Sequence, residues 1–235
     1  MSHRSLSAVT LAAGALVAAA VHAQGVPEGQ KISTQGANGA PACITCHGAK
    51  GEGNLAAGFP RLAAMGGEYL AEQLEAMANG ARVSPVMAAT AKALDPAQRL
   101  AVAQYYAALP SPLNTDSLAA TALHPAPPSD TGAWLATRGA WDKNVPACNQ
   151  CHGPGGISVG EHFPGLAGQP AAYIAGQLRA WRQGQRPPGP LALMPAVATR
   201  LTDAEIDAVS AYYAGLPKAA ERLASQAQAA AGAKQ

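Results

Sequence analysis

Pro41-Ala42-Cys43-Ile44-Thr45-Cys46-His47-Gly48 and Pro146-Ala147-Cys148-Asn149-Gln150-Cys151-His152-Gly153 are two copies of one short stretch, and they decide how the rest of the chain is read. Cys-x-x-Cys-His is the attachment signature of c-type haem. Two residues between the thiols put both sulfurs on one turn, where they can bond to the vinyl groups of one porphyrin. The adjacent imidazole then projects to the ring centre as a ligand of the iron. A four-ligand zinc site would have to pair the two copies. A thioredoxin-like redox pair needs a βαβ setting and no following histidine. Two disulfides would suit an exported chain, but they would leave the histidines unexplained. All four cysteines of the chain lie in these motifs. They read as covalent attachment points, Cys43 with Cys46 and Cys148 with Cys151, for two haem c groups, with His47 and His152 as axial ligands.

Outward from the motifs, the two halves of the chain align. Phe59-Pro60-Arg61-Leu62-Ala63 corresponds to Phe163-Pro164-Gly165-Leu166-Ala167, and Tyr69-Leu70 with Gln73-Leu74 to Tyr173-Ile174 with Gln177-Leu178. Gly29, Gly80, Met87, Tyr105-Tyr106 and Leu109-Pro110 have partners in Gly132, Gly184, Met194, Tyr212-Tyr213 and Leu216-Pro217. A repeat of this length means two copies of one domain rather than a solenoid of small units. The division this predicts is a signal peptide over 1–23, a first domain over 24–110, a Pro-rich linker over 111–129, a second domain over 130–217 and an Ala-rich tail over 218–235.

The expected fold class is all-α. Lys31 to Gln35 and Trp134 to Arg138 read as short first helices. Gly67 to Asn79 and Pro170 to Gln183 place apolar residues at helical spacing, with Pro170 suited to a first helical position. Asp95-Pro96 and Thr202-Asp203-Ala204-Glu205 open the last helix of each half, the second as a capping box. These helices are expected to end at Pro110 and Pro217. Four prolines between Ser111 and Ser129 predict an extended linker. The tail reads as helical near Glu221 to Gln228. No stretch alternates as a strand would.

A six-coordinate iron needs a second axial ligand. The second half contains one methionine, Met194, in the loop before the last helix. The first half offers Met65, Met77 and Met87, and the repeat register selects Met87. Met65 aligns with Gln169 and Met77 with Trp181, so both read as packing residues. Methionine opposite histidine raises the reduction potential, and two filled axial positions leave no site for a substrate. Pro60 and Pro164 follow their histidines at nearly equal spacing. A carbonyl there can accept the imidazole N–H and fix the ring, while Leu62 and Leu166 pack on the haem face. His162 reads as a loop histidine. Arg61 has no counterpart at Gly165 and reads either as a partner of a haem propionate or as a solvated side chain. Arg179, Arg182 and Arg186 read as a solvated helix face in preference to a docking patch.

Among 235 residues the net charge is +2, with no basic stripe of the kind nucleic acid would require. Aromatic residues make up 5%, little for a core of this size, and a large flat cofactor in each domain would supply the missing apolar centre. Arg4, the apolar run from Leu6 to Val21 and the small-residue pattern Val21-His22-Ala23 form a secretory signal, with cutting expected after Ala23. The alternative is an uncleaved membrane anchor, against which the run is shorter than the roughly 20 residues of a spanning helix. Haem c attachment belongs to the same exported compartment, in a bacterium the periplasm.

With these residues in place the chain resembles the two-haem cytochrome c4 family. The resemblance runs through Cys-x-x-Cys-His-Gly, Phe-Pro-x-Leu-Ala-Gly, Tyr-Leu/Ile-x-x-Gln-Leu, the ligand methionine and a closing helix with paired aromatics. The second half fits throughout; the first has Ala64 where the pattern has glycine. The resemblance implies two class I cytochrome c domains related by a pseudo-two-fold axis, with haem edges and propionates approaching across the interface. It implies a soluble periplasmic monomer that carries electrons between redox protein partners. A donor dehydrogenase or quinol:cytochrome c reductase would lie on one side and an acceptor oxidase on the other. The same haems would also serve an electron-accepting subunit of a periplasmic or membrane-bound dehydrogenase, with peripheral membrane association. A dihaem peroxidase or thiosulfate oxidoreductase would need an open or differently ligated iron, which the two methionines do not suggest.

Overall fold

A computed structural model describes residues 26–124 and 126–232 of the protein. The expected signal segment and the last three residues of the tail lie outside them. The chain is helical: α1 over 26–35, then α2 (Ile44–His47), α3 (Gly67–Ala78), α4 (Met87–Ala93), α5 (Pro96–Ala108), α6 (Thr115–Thr121), α7 (Thr131–Thr137), α8 (Asn149–His152), α9 (Ala171–Arg182), α10 (Leu193–Ala198) and α11 (Asp203–Gly232). Among the described residues extended pairing is confined to isolated bridges, such as Asn54 with Phe59 and Val159 with Phe163.

The helix starts follow from side chains that satisfy free N–H groups. Asp95 accepts from the Gln98 N–H while the Gln98 side chain accepts from the Asp95 N–H, and Pro96 sits just inside the start. Thr202 and Glu205 exchange the same pair of bonds at the start of α11. Asp130 caps α7 through the Ala133 N–H. In each half the first helix crosses the last at a glycine. A Cβ on Gly29 would stand 2.2 Å from the Ala101 carbonyl oxygen, and one on Gly132 2.4 Å from that of Ala208. Only a bare backbone allows that approach. The first core gathers Ile32, Leu70, Leu94, Val102 and Tyr106. The second gathers Leu135, Ile174, Leu178, Ile206, Val209 and Tyr213.

Two expectations are corrected. The segment between the halves is not an extended linker: it contains α6, started by Asn114, whose side chain accepts from the Ser117 N–H at 3.0 Å. Leu118 of α6 is 1% exposed within the second core, a burial worth about 1.5–3 kcal/mol, so the segment is anchored rather than free. Nor does the last helix stop at Pro217. Proline has no N–H for the carbonyl one turn back, but that carbonyl, of Tyr213, accepts instead from the Gly168 N–H at 2.9 Å. The helix continues and buries Leu216 and Ala220 against the second core. The Tyr106 carbonyl is met in the same way by the Ala64 N–H at 3.1 Å, yet α5 ends before Pro110.

Candidate functional site

Each motif forms one short helix. Cys43 lies at the start of α2 and Cys148 at the start of α8, while Cys46 with His47, and Cys151 with His152, complete the turn. Gly48 and Gly153 follow at φ of +83° and +84°, a left-handed step that favours glycine. The four thiols are unpaired and partly buried. Burial pushes the Cys43 thiol up, and the Cys148 thiol up to about 11.

Both histidines are buried, 5% and 7% exposed. His47 Nδ1 lies 2.8 Å from the Pro60 carbonyl and His152 Nδ1 2.7 Å from that of Pro164. A carbonyl only accepts, so Nδ1 carries the proton in each ring and Nε2 presents its lone pair. Burial lowers both pKa values; the carbonyl bonds oppose that shift without reversing it. Phe59 and Phe163 meet the rings edge-on, each with centroids 6.3 Å apart. That contact went unassigned in the sequence, although the matched Phe-Pro steps signal it. Leu62 and Leu166 are half-buried and pack against the first and second cores. Two thiols and an oriented imidazole per half form a donor set that suits a covalent porphyrin and leaves no thiol without a role.

The methionines separate by environment. Met65 is 3% exposed and its sulfur accepts from the Gly165 N–H at 3.3 Å; Met77 is 7% exposed in the first half. Met87 and Met194 are half-buried at the starts of α4 and α10, in matching places. The last core tyrosines find different partners in the two halves. The Tyr106 hydroxyl is 2.7 Å from Ser33 Oγ, and the Tyr213 hydroxyl donates to Asn149 Oδ1 at 2.7 Å, within α8.

The loops that fix the histidines run directly into the seam between the halves. The Arg61 N–H donates to Gln169 Oε1 at 2.9 Å, and Gln169 Nε2 donates to the Arg61 carbonyl at 3.0 Å. The Gly165–Met65 bond is the same contact in the other direction of the repeat. Arg61 is not solvated: it is 3% exposed and donates to the carbonyls of Ala63 and Ala167. Arg186 is 7% exposed in the seam, over the ring of Trp181, so it leaves the solvated face to Arg179 and Arg182, which pair with Asp203 and Asp207. His162 pairs with Glu68 across the seam at 3.2 Å. Its neighbour Glu161 accepts from the Gly67 and Glu68 N–H groups and so caps α3 from the other half.

The family described as cytochrome C oxidase, cbb3-type, subunit III matches residues 133–212. Over 191 residues the chain is 48% identical to a thiosulfate dehydrogenase electron acceptor from Thiomonas intermedia (strain K12), covering 79% of this chain and 83% of that one. Reduced recombinant cytochrome c4 from Pseudomonas stutzeri superposes with a TM-score of 0.64 at 30% identity, over 81% of this chain and 97% of that one. Thiosulfate dehydrogenase from Marichromatium purpuratum superposes with a TM-score of 0.68 at 41% identity, over 80% of this chain; the match spans 40% of that longer chain.

Proposed function

The chain belongs to the dihaem cytochrome c4 family, carries two covalently bound haem c groups and transfers electrons, and from that premise we propose that it is the electron acceptor of a thiosulfate dehydrogenase. The observation that carries this reading is the 48% identity over 79% of the chain to a relative of that name. The catalytic subunit would oxidise thiosulfate, and this chain would take the electrons and pass them to a terminal acceptor such as an oxidase. It would work in the periplasm, after removal of residues 1–23, with 24–110 and 130–217 as its two haem domains. Among the described residues no helix is long and apolar enough to cross a membrane.

The haem iron supplies the one-electron couple. His47 and His152 would hold it through Nε2, their rings oriented by the carbonyls of Pro60 and Pro164. Met87 and Met194, half-buried at the starts of α4 and α10, would complete its ligand set. Leu62 and Leu166, packed against the two cores, would help to keep water from it. A ligand set kept in both oxidation states would need little rearrangement and would leave substrate chemistry to the partner.

The test is rapid mixing of the oxidised protein with thiosulfate, with and without a purified thiosulfate dehydrogenase catalytic subunit, read at the reduced-haem absorbance. Both haems are expected to be reduced only when the dehydrogenase is present. Equal reduction by thiosulfate alone would make this chain the enzyme. No reduction beside an active dehydrogenase would remove the assigned partner.

A further inference from the structure

Arg61 and Gly165 are equivalent in the repeat, and so are Met65 and Gln169. The seam pairs them crosswise. The Arg61 N–H donates to Gln169 Oε1 at 2.9 Å, and Gln169 Nε2 donates back to the Arg61 carbonyl at 3.0 Å. The Gly165 N–H donates to Met65 Sδ at 3.3 Å. Both acceptors are shut off from water, Gln169 at 4% exposure and Met65 at 3%.

Each of these N–H groups shares a peptide group with the carbonyl that holds an imidazole. The Pro60–Arg61 peptide holds His47 at 2.8 Å, and the Pro164–Gly165 peptide holds His152 at 2.7 Å. The two ring bonds are nearly equal in length, so the halves differ in what grips the far side of the peptide. A peptide group is conjugated, and an acceptor at its N–H pushes electron density onto its carbonyl oxygen. Hydrogen bonds in a chain strengthen one another in this way, by roughly 10–30% per bond. An amide oxygen is a full acceptor and a thioether a weak one. The Pro60 carbonyl is therefore the more polarised of the two. An imidazole whose N–H is drawn more strongly is a more basic ligand through its other nitrogen, and a more basic ligand favours oxidised iron.

We propose that each half tunes the reduction potential of the haem in the other half through this shared peptide. Gln169 of the second half lowers the potential of the first haem, whereas Met65 of the first half imposes little on the second. Both act as positioning residues: neither touches an imidazole, and no proton leaves Nδ1. The proposal rests on the two haems and not on the identity of the donor, so it stands whichever dehydrogenase reduces the protein.

The holoprotein and its variants Q169M, Q169L, M65Q and M65L test this. Every substitution is neutral, so no shift can come from a lost or added charge. Both midpoints are read by spectroelectrochemical titration and assigned to their halves by NMR. The Nδ1–H resonances of His47 and His152 are followed in the isotope-labelled reduced protein. Q169M and Q169L are expected to raise the first midpoint alone. The reduced-to-oxidised ratio of that haem at fixed potential should rise at least twofold, about 18 mV for a one-electron couple, and the His47 resonance should move upfield. M65Q should lower the second midpoint at least twofold on the same scale and move the His152 resonance downfield. M65L should leave both midpoints within twofold. If Q169M does not assemble, M65Q carries the test, because it copies the arrangement of the other half. An assigned midpoint within twofold of native in haem-replete Q169M or M65Q would overturn the proposal. So would a Q169M shift equal at both haems, which would mark a loosened seam, or an M65L shift matching that of M65Q, which would mark a packing effect.

Discussion

The guanidinium of Arg61 fills the space that the absent side chain of Gly165 leaves: a Cβ on Gly165 would stand 2.8 Å from Arg61 Nη2 and 3.0 Å from the Ile157 carbonyl oxygen. The two positions are equivalent in the repeat, so the pseudo-symmetry is broken where one side chain must occupy both places. Gly165→Ala is expected to destabilise the protein by about 1–3 kcal/mol through overpacking. In an R61Q background the same change should cost less, and a double-mutant cycle of thermal melts measures the difference.

Ala64 stands where the second half has Gly168, and both adopt the left-handed turn, at φ of +56° and +69°. The turn persists because the N–H of each residue meets the tyrosine carbonyl of the last helix. Ala64 pays for that conformation with roughly 1–2 kcal/mol. Ala64→Gly should therefore raise stability by about 0.5–1 kcal/mol. Gly168→Ala should lower it by more than that gain, because its Cβ also meets Leu113 at 3.2 Å. Chemical denaturation of the holoprotein reads both.

Tyr213 is fully buried, and its hydroxyl depends on Asn149. Asn149→Leu should cost about 1–3 kcal/mol by leaving that hydroxyl unsatisfied. Tyr213→Phe in the same chain should recover most of the loss. Equal loss in the single and double variants would mean that the hydroxyl is not the cause.

Burial alone would push the Glu205 carboxyl up, but bonds from Lys143 at 2.6 Å and from Thr202 at 2.7 Å outweigh it and hold the carboxyl below its ordinary value of 4.5. A lowered carboxyl contributes stability that is fully present above its unfolded pKa and is lost as pH falls through the folded one. Wild type should exceed E205Q by up to about 1 kcal/mol at neutral pH, allowing for the half-exposed lysine. The gap should close as pH falls below 4.5, as read from melts across that range.

The haem motifs, the repeat and most helices were legible because each rests on local spacing. The anchored helix α6 was hidden by the prolines on either side of it, since the burial of Leu118 depends on a core assembled from distant residues. Continuation of α11 past Pro217 depends on a hydrogen bond from Gly168, which local propensity does not report. The burial of Arg61 and Arg186 was missed because their surroundings come from the other half.

The most direct test of a carrier with both irons closed by Met87 and Met194 is the optical spectrum of the reduced holoprotein with and without carbon monoxide. The expected result is no change at either haem, with Met194→Ala opening one haem alone to the gas. A carbon monoxide shift of half or more of the haem signal in the native protein would contradict it, because an iron would then be open for chemistry.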